Sequence, residues 1–235
     1  MPAPQTLLPQ HMPAPDRPLA GLTLLVVEDS RYACEVMRLL CQHSGARLRR
    51  ADCLAAARRH LRVYCPDVLL VDLGLPDCPG EALIAELAPR MQRPTAILAI
   101  SGDPTLGPAA LAAGADGFVE KPVMDLARFQ RAILQHLSGR GAGALARSMP
   151  PPDAVLTPDP LALRDDLTQA AGLLAGPTEA LPRDYLRGFL GGIARSARDD
   201  QLAAAAAGLR ETGPEPVGRL ARLVRARLDA DTLPL

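Results

Sequence analysis

The stretch LLVDLGLP at residues 69–76 places a carboxylate, Asp72, where an apolar run gives way to Gly74 and Pro76. A run without polar alternation reads as a strand buried on both faces, which requires a sheet covered by helices on both sides. Gly and Pro then stop the strand, so Asp72 falls at its carboxyl end. Working outward from it, strand-length runs occur at residues 22–27, 47–51, 67–71, 96–100 and 117–119. Helical patterns separate and follow them at 31–43, 54–63, 81–90, 106–113 and 125–137. This alternation predicts an α/β fold over residues 21–139, a five-stranded parallel doubly wound sheet with right-handed crossovers.

Proline marks the joints of the 235-residue chain. Eleven of its 24 prolines fall within residues 1–20 and 150–160. Residues 1–20 are expected to be a disordered Pro-rich tail, and 140–160 a Gly/Pro-rich linker. Residues 161–235 carry no strand pattern. Helical periodicity over 161–174, 183–197, 199–209 and 217–228 predicts a small all-α unit, with Gly213-Pro214-Glu215-Pro216 breaking the last pair. Four short helices make a thin core, so this unit is expected to dock on the first domain or to pair with a second copy.

Charges balance at 26 basic and 26 acidic residues, which argues against a chain built to coat nucleic acid. No run approaches the roughly 20 apolar residues of a membrane span, and the N-terminus lacks a secretory pattern. The five cysteines form no CxxC and leave one unpaired, as suits a reducing compartment and a cytoplasmic protein with buried structural thiols. One count is uneven: among the 26 basic residues Lys121 is the sole lysine. Its ammonium is a compact point charge that a guanidinium does not replace.

Polar residues that interrupt the apolar strands collect at one edge. Glu28 and Asp29 follow the first strand, Asp72 ends the third, Ser101 ends the fourth and Lys121 follows the fifth. Carboxyl ends of strands form the ligand edge of a doubly wound sheet. Three clustered carboxylates repel and call for a cation, and oxygen-only ligands select a hard one such as Mg2+. With that charge balanced, one carboxylate can act as a nucleophile on phosphorus, giving an aspartyl phosphate. Lys121 and the Ser101 hydroxyl are suited to stabilise and receive phosphoryl oxygens.

Residues 21–139 resemble the receiver domain of two-component response regulators, a flavodoxin-like fold. The matching pieces are LLVVEDS at 24–30, LLVDLGLPDCPG at 69–80, AISG at 99–102 and GADGFVEKP at 114–122. The resemblance implies Asp72 as phosphoacceptor, with Glu28, Asp29, Asp72 and the Gly74 backbone carbonyl around Mg2+. Ser101 and Lys121 would contact the phosphoryl group, and Phe118 occupies the aromatic switch position. It also implies a sensor histidine kinase or phosphotransfer protein as partner, and no enzymatic role beyond self-phosphorylation and autodephosphorylation. An aspartyl-phosphate phosphatase shares this kit, but its nucleophile sits in an Asp-x-Asp motif on the first strand.

The last segment resembles, over 185–192, 199–211 and 217–228, a histidine-phosphotransfer module. Ala207 stands where such modules carry their histidine, and no His follows His136, so relay through an imidazole is excluded. A degenerate module kept for binding a protein target is the expected output. The alternative is a DNA-binding transcriptional regulator with an atypical C-terminal domain. Ten arginines against ten acidic residues in 161–235 disfavour DNA.

Overall fold

A computed structural model of the chain describes residues 14, 16–137, 156, 158–177, 182–211 and 213–230. Strands β1 (Thr23–Val27), β2 (Arg47–Ala51), β3 (Val68–Asp72), β4 (Ala96–Ser101) and β5 (Gly117–Glu120) form one sheet. Its order is β2-β1-β3-β4-β5, with every pair parallel. Helices α1 (Arg31–Ser44), α2 (Leu54–Val63), α3 (Gly80–Leu87), α4 (Gly107–Ala112) and α5 (Leu126–Leu134) connect or follow the strands.

The strand sequences split into two cores because successive side chains point to opposite faces. Leu24, Val26, Leu70, Leu98 and Ile100 meet α1 and α5 on one side. Leu25, Val27, Leu69, Val71, Ile97 and Ala99 meet α2, α3 and α4 on the other. Strand β3 is buried at every position, as its unbroken apolar run requires. Strand β2 is an edge, and its arginines are largely exposed.

Among the described residues four further α-helices follow: α6 (Pro160–Leu174), α7 (Arg183–Ser196), α8 (Asp200–Ala207) and α9 (Pro214–Ala230). Leu167, Leu186, Phe189, Leu190, Leu202, Leu220 and Val224 form their shared core. The expected break before the last helix is present, with Gly213 at a positive φ, but Pro214 and Pro216 themselves lie in the first turn of α9, where backbone N–H groups need no intrahelical acceptor. The unit docks on the first domain: Leu156, Ala162 and Leu163 pack against the α1/α5 core.

Two sequence expectations need correction. The end of the predicted 1–20 tail is ordered, since Leu19 is fully buried and its N–H donates to the Ser44 carbonyl at 2.9 Å. The surrounding prolines obscured an apolar pair, Leu19-Ala20, that closes the end of α1. Residues 1–13 and most of the 140–160 linker lie outside the described residues. The cysteines are all free, but only Cys34 and Cys41 are buried; Cys53 and Cys78 are half-buried and Cys65 is exposed. Burial pushes the Cys41 thiol up to about 12, so it is no nucleophile. Among the described residues no helix is long and apolar enough to cross a membrane.

Candidate functional site

All five positions predicted to converge do so at the carboxyl edge. Register sets the central pair: Asp72 faces Ile100, and Ser101 faces Glu120, so Asp72 and Ser101 end neighbouring strands. Lys121 follows directly, its N–H donating to the Ser101 carbonyl at 2.8 Å. Glu28 leaves β1 with its N–H donating to the Ala51 carbonyl at 2.9 Å. Close approach of α3 completes the floor. A Cβ at Gly80 would stand 2.2 Å from the Asp72 carbonyl oxygen, backbone that cannot yield, so only glycine brings the start of α3 so near.

Ligand oxygens of Glu28, Asp29 and Asp72 lie within 4.8 Å of one another, and all three residues are buried. The Lys121 ammonium sits 2.6 Å from Glu28 Oε2 and donates to Asp72 Oδ2 at 2.9 Å. The Gly74 N–H donates to Asp72 Oδ1 at 3.2 Å. Ser101 is buried, and its Oγ accepts from the Asp103 N–H at 3.1 Å. Phe118 is half-buried, its ring in van der Waals range of the space beside Gly107 at the head of α4.

Electrostatics show a site short of positive charge. Burial, with Asp72 and Asp29 adding repulsion, pushes the Glu28 carboxyl up to about 8 despite the opposing pull of Lys121. Burial likewise raises Asp29 to about 6, against a hydrogen bond from Tyr185. Burial alone would lower the Lys121 ammonium, but the Asp72 and Glu28 carboxylates outweigh it and hold the group above its ordinary value. One ammonium therefore does not compensate three carboxylates, and the all-oxygen donor set fits a hard divalent cation.

The C-terminal helices reach this edge, which the sequence reading missed. Asp166 of α6 is fully buried and accepts from Ser30 Oγ at 2.7 Å, the Arg31 N–H at 2.8 Å and the Tyr32 N–H at 3.0 Å. It thus caps α1 from a remote part of the chain. Tyr185 Oη of α7 donates to Asp29 Oδ2 at 2.5 Å. A signal for the first contact was present: Asp166 interrupts the stripe of Leu163, Leu167, Ala170 and Leu174 that faces inward along α6. A carboxylate on an apolar face needs a partner. The resulting cavity, about 720 Å³, is lined by Asp72, Ser101 and Lys121 on one side and by α7 on the other.

Residues 24–134 match the family described as "Response regulator receiver domain". The transcriptional regulatory protein KdpE of Mycobacterium tuberculosis is 28% identical over 207 residues, covering 75% of this chain and 90% of that protein. The KDP operon transcriptional regulatory protein KdpE of Escherichia coli is 30% identical over 145 residues, covering 62% of this chain and 59% of that protein. Among solved structures, a response regulator described as putative from Chloroflexus aurantiacus aligns at a TM-score of 0.47 and 26% identity, covering 50% of this chain and 98% of that one. The receiver domain of sensor histidine kinase PA1611 from Pseudomonas aeruginosa, solved with a magnesium ion coordinated in its active-site cleft, aligns at 0.47 and 24% identity, covering 51% and 100%.

Proposed function

Because residues 24–134 are a response regulator receiver domain of two-component signalling, we propose that this chain accepts a phosphoryl group on Asp72 from a histidine kinase or phosphotransfer partner. The observation that carries the reading is the convergence of Glu28, Asp29, Asp72 and Lys121, buried together at one strand edge. Glu28, Asp29 and Asp72, with the Gly74 carbonyl beside them, would hold Mg2+. The cation supplies neutralisation of these carboxylates and of the phosphoryl oxygens when bound.

Asp72 is the nucleophile: a carboxylate oxygen bonds to phosphorus as the donor's N–P bond breaks, and the released imidazole takes a proton. Lys121 holds the attacking carboxylate through Oδ2 and offers its ammonium to the transferred oxygens. Ser101 Oγ exchanges its bond with the Asp103 N–H for one to a phosphoryl oxygen, and Phe118 repacks as the 101–107 loop shifts. Incubation with a small phosphodonor and Mg2+ should leave a hydroxylamine-labile phosphate on the peptide containing Asp72. A label elsewhere, or none, overturns the assignment.

Cation binding should also be proton-linked. With Glu28 raised to about 8 and Asp29 to about 6, the metal-free site holds protons near neutrality. Both values lie above their ordinary 4.5 and 3.8, so the empty site destabilises the fold increasingly as pH rises through this range. A cation displaces those protons. The apparent Mg2+ affinity should therefore rise between about pH 5.5 and 8. Calorimetry in two buffers of different ionisation enthalpy should show proton release; heats that match in both buffers would contradict it.

Output is proposed to run through α6–α9 as a histidine-less, phosphotransfer-like unit that binds a protein target. A second reading, DNA-binding output, is favoured by one observation. The alignment to a transcriptional regulator covers 75% of this chain and so runs past the receiver domain. Salt-dependent binding of the full chain to duplex DNA would select the second reading, and salt-insensitive absence of binding the first.

A further inference from the structure

The α7 helix carries basic groups over the phosphoacceptor cleft. Arg187 and Arg195 of α7, and Arg210 beyond α8, line the same cavity as Asp72, Ser101 and Lys121. The Arg195 guanidinium lies against Gly102, the residue after Ser101: a Cβ there would stand 1.8 Å from Nη2. Arg187 and Arg210 help hold the Asp103 carboxyl below its usual value, after the larger effect of its hydrogen bonds from Thr105. These guanidiniums therefore face the β4–α4 loop that bears the switch serine.

Their pairing is incomplete. Among the described residues, the guanidiniums of Arg195 and Arg210 have neither a hydrogen bond nor an ion pair. Arg187 reaches only the exposed Asp184, at 3.3 Å, and its buried Nε has no partner. The side chains of Arg164, Arg198, Arg222 and Arg225 are likewise unpaired among the described residues, but none of them lines this cavity, whereas Arg183 and Arg227 are matched, Arg227 with Asp199 at 2.7 Å. Unmatched guanidiniums beside a cleft are suited to an anion, because a planar fork meets two oxygens of a tetrahedral oxyanion at once.

Charge balance identifies that anion. Three carboxylates, the Lys121 ammonium and a divalent cation sum to neutrality within the receiver. Phosphorylation turns the singly charged Asp72 carboxylate into a doubly charged acyl phosphate, and the negative charge it adds has no counterpart there. We infer that Arg195, flanked by Arg187 and Arg210, is a phosphoryl-contacting residue that the C-terminal helices contribute to the receiver's site. Phosphorylation then tightens α7 on the cleft, and the helical unit senses the phosphoryl group by direct contact. This inference rests on Asp72 being the phosphoacceptor.

Beryllofluoride with Mg2+, a stable stand-in for the phosphoryl group, tests both levels on the full chain. Affinity is read by fluorine NMR and the position of α7 by amide hydrogen exchange. Wild type should bind and slow exchange across 183–196. Arg195→Gln, a change at an exposed position, should bind about tenfold more weakly and lose that slowing. Asp72→Asn should not bind. Wild-type affinity and unaltered slowing in Arg195→Gln would overturn the inference while leaving Asp72 in place. Undiminished binding by Asp72→Asn would instead overturn the phosphoacceptor reading, and the inference with it.

Discussion

Asp166→Ala should release α6 and α7 from the receiver domain and lower stability by about 2–4 kcal/mol. The truncation removes one side chain but strands three groups. Ser30 Oγ loses its acceptor, and the Arg31 and Tyr32 N–H groups, unsatisfied by any helical turn at the start of α1, lose theirs. Ser30 still caps α1 through the Ala33 N–H at 3.0 Å, so the helix itself survives. What fails is the seal between the two units. Arg31 and Asp165, paired at 2.6 Å, are too exposed to hold it. Denaturant unfolding should shift to a lower midpoint, and amide exchange should rise in the first turn of α1 and throughout α7. Unchanged exchange at both places would show that apolar packing alone docks the helices.

The same residue illustrates why a buried charge is retained without being a large net stabiliser. Burial raises the Asp166 carboxyl above its ordinary value even though Ser30 and two backbone N–H groups pull the other way. Desolvation therefore outweighs its hydrogen bonds. Its contribution is to specify one docked arrangement, because three convergent donors admit a single position for α6. That arrangement places Tyr185 on Asp29 and Arg195 beside Gly102. Coupling of the helices to the site thus starts from a helix cap.

Legibility in the sequence followed the range of the physics involved. Strand runs and turn signals are local, so the five-stranded parallel sheet and the five converging positions were readable; β2 (Arg47–Ala51) and α2 (Leu54–Val63) match to the residue. Boundaries moved where a polar residue continues an apolar strand, as Asp72 does in β3 and Ser101 in β4. Contacts between distant elements were not readable. Nothing in residues 183–196 alone states which surface α7 meets, and the Tyr185–Asp29 pair spans 156 positions. The lone lysine was legible because composition isolated it, and the structure shows why an ammonium suits the place: it stands between two buried carboxylates, with 12% of its side chain exposed.

Two substitutions at that position separate charge from shape. Lys121→Met keeps the length of the side chain but leaves Glu28 and Asp72 facing each other with no cation of the chain between them. Removing one partner of a buried ion pair costs about 3–5 kcal/mol. Proton uptake by Glu28, already raised to about 8, offsets part of this. The loss should accordingly be largest above pH 8 without metal and smaller with saturating Mg2+. Lys121→Arg keeps the charge, yet a planar guanidinium must enter a space where Nζ meets carboxylate oxygens at 2.6 and 2.9 Å. Overpacking of about 1–3 kcal/mol is expected, and the fork cannot serve Glu28 and Asp72 in the same geometry. Both variants should take up phosphate from a small donor at least about tenfold more slowly than wild type, Lys121→Arg while retaining most of the stability that Lys121→Met loses. Full phosphorylation by Lys121→Arg would mean that charge alone is required there, and that the one lysine among the chain's 26 basic residues is an accident of composition.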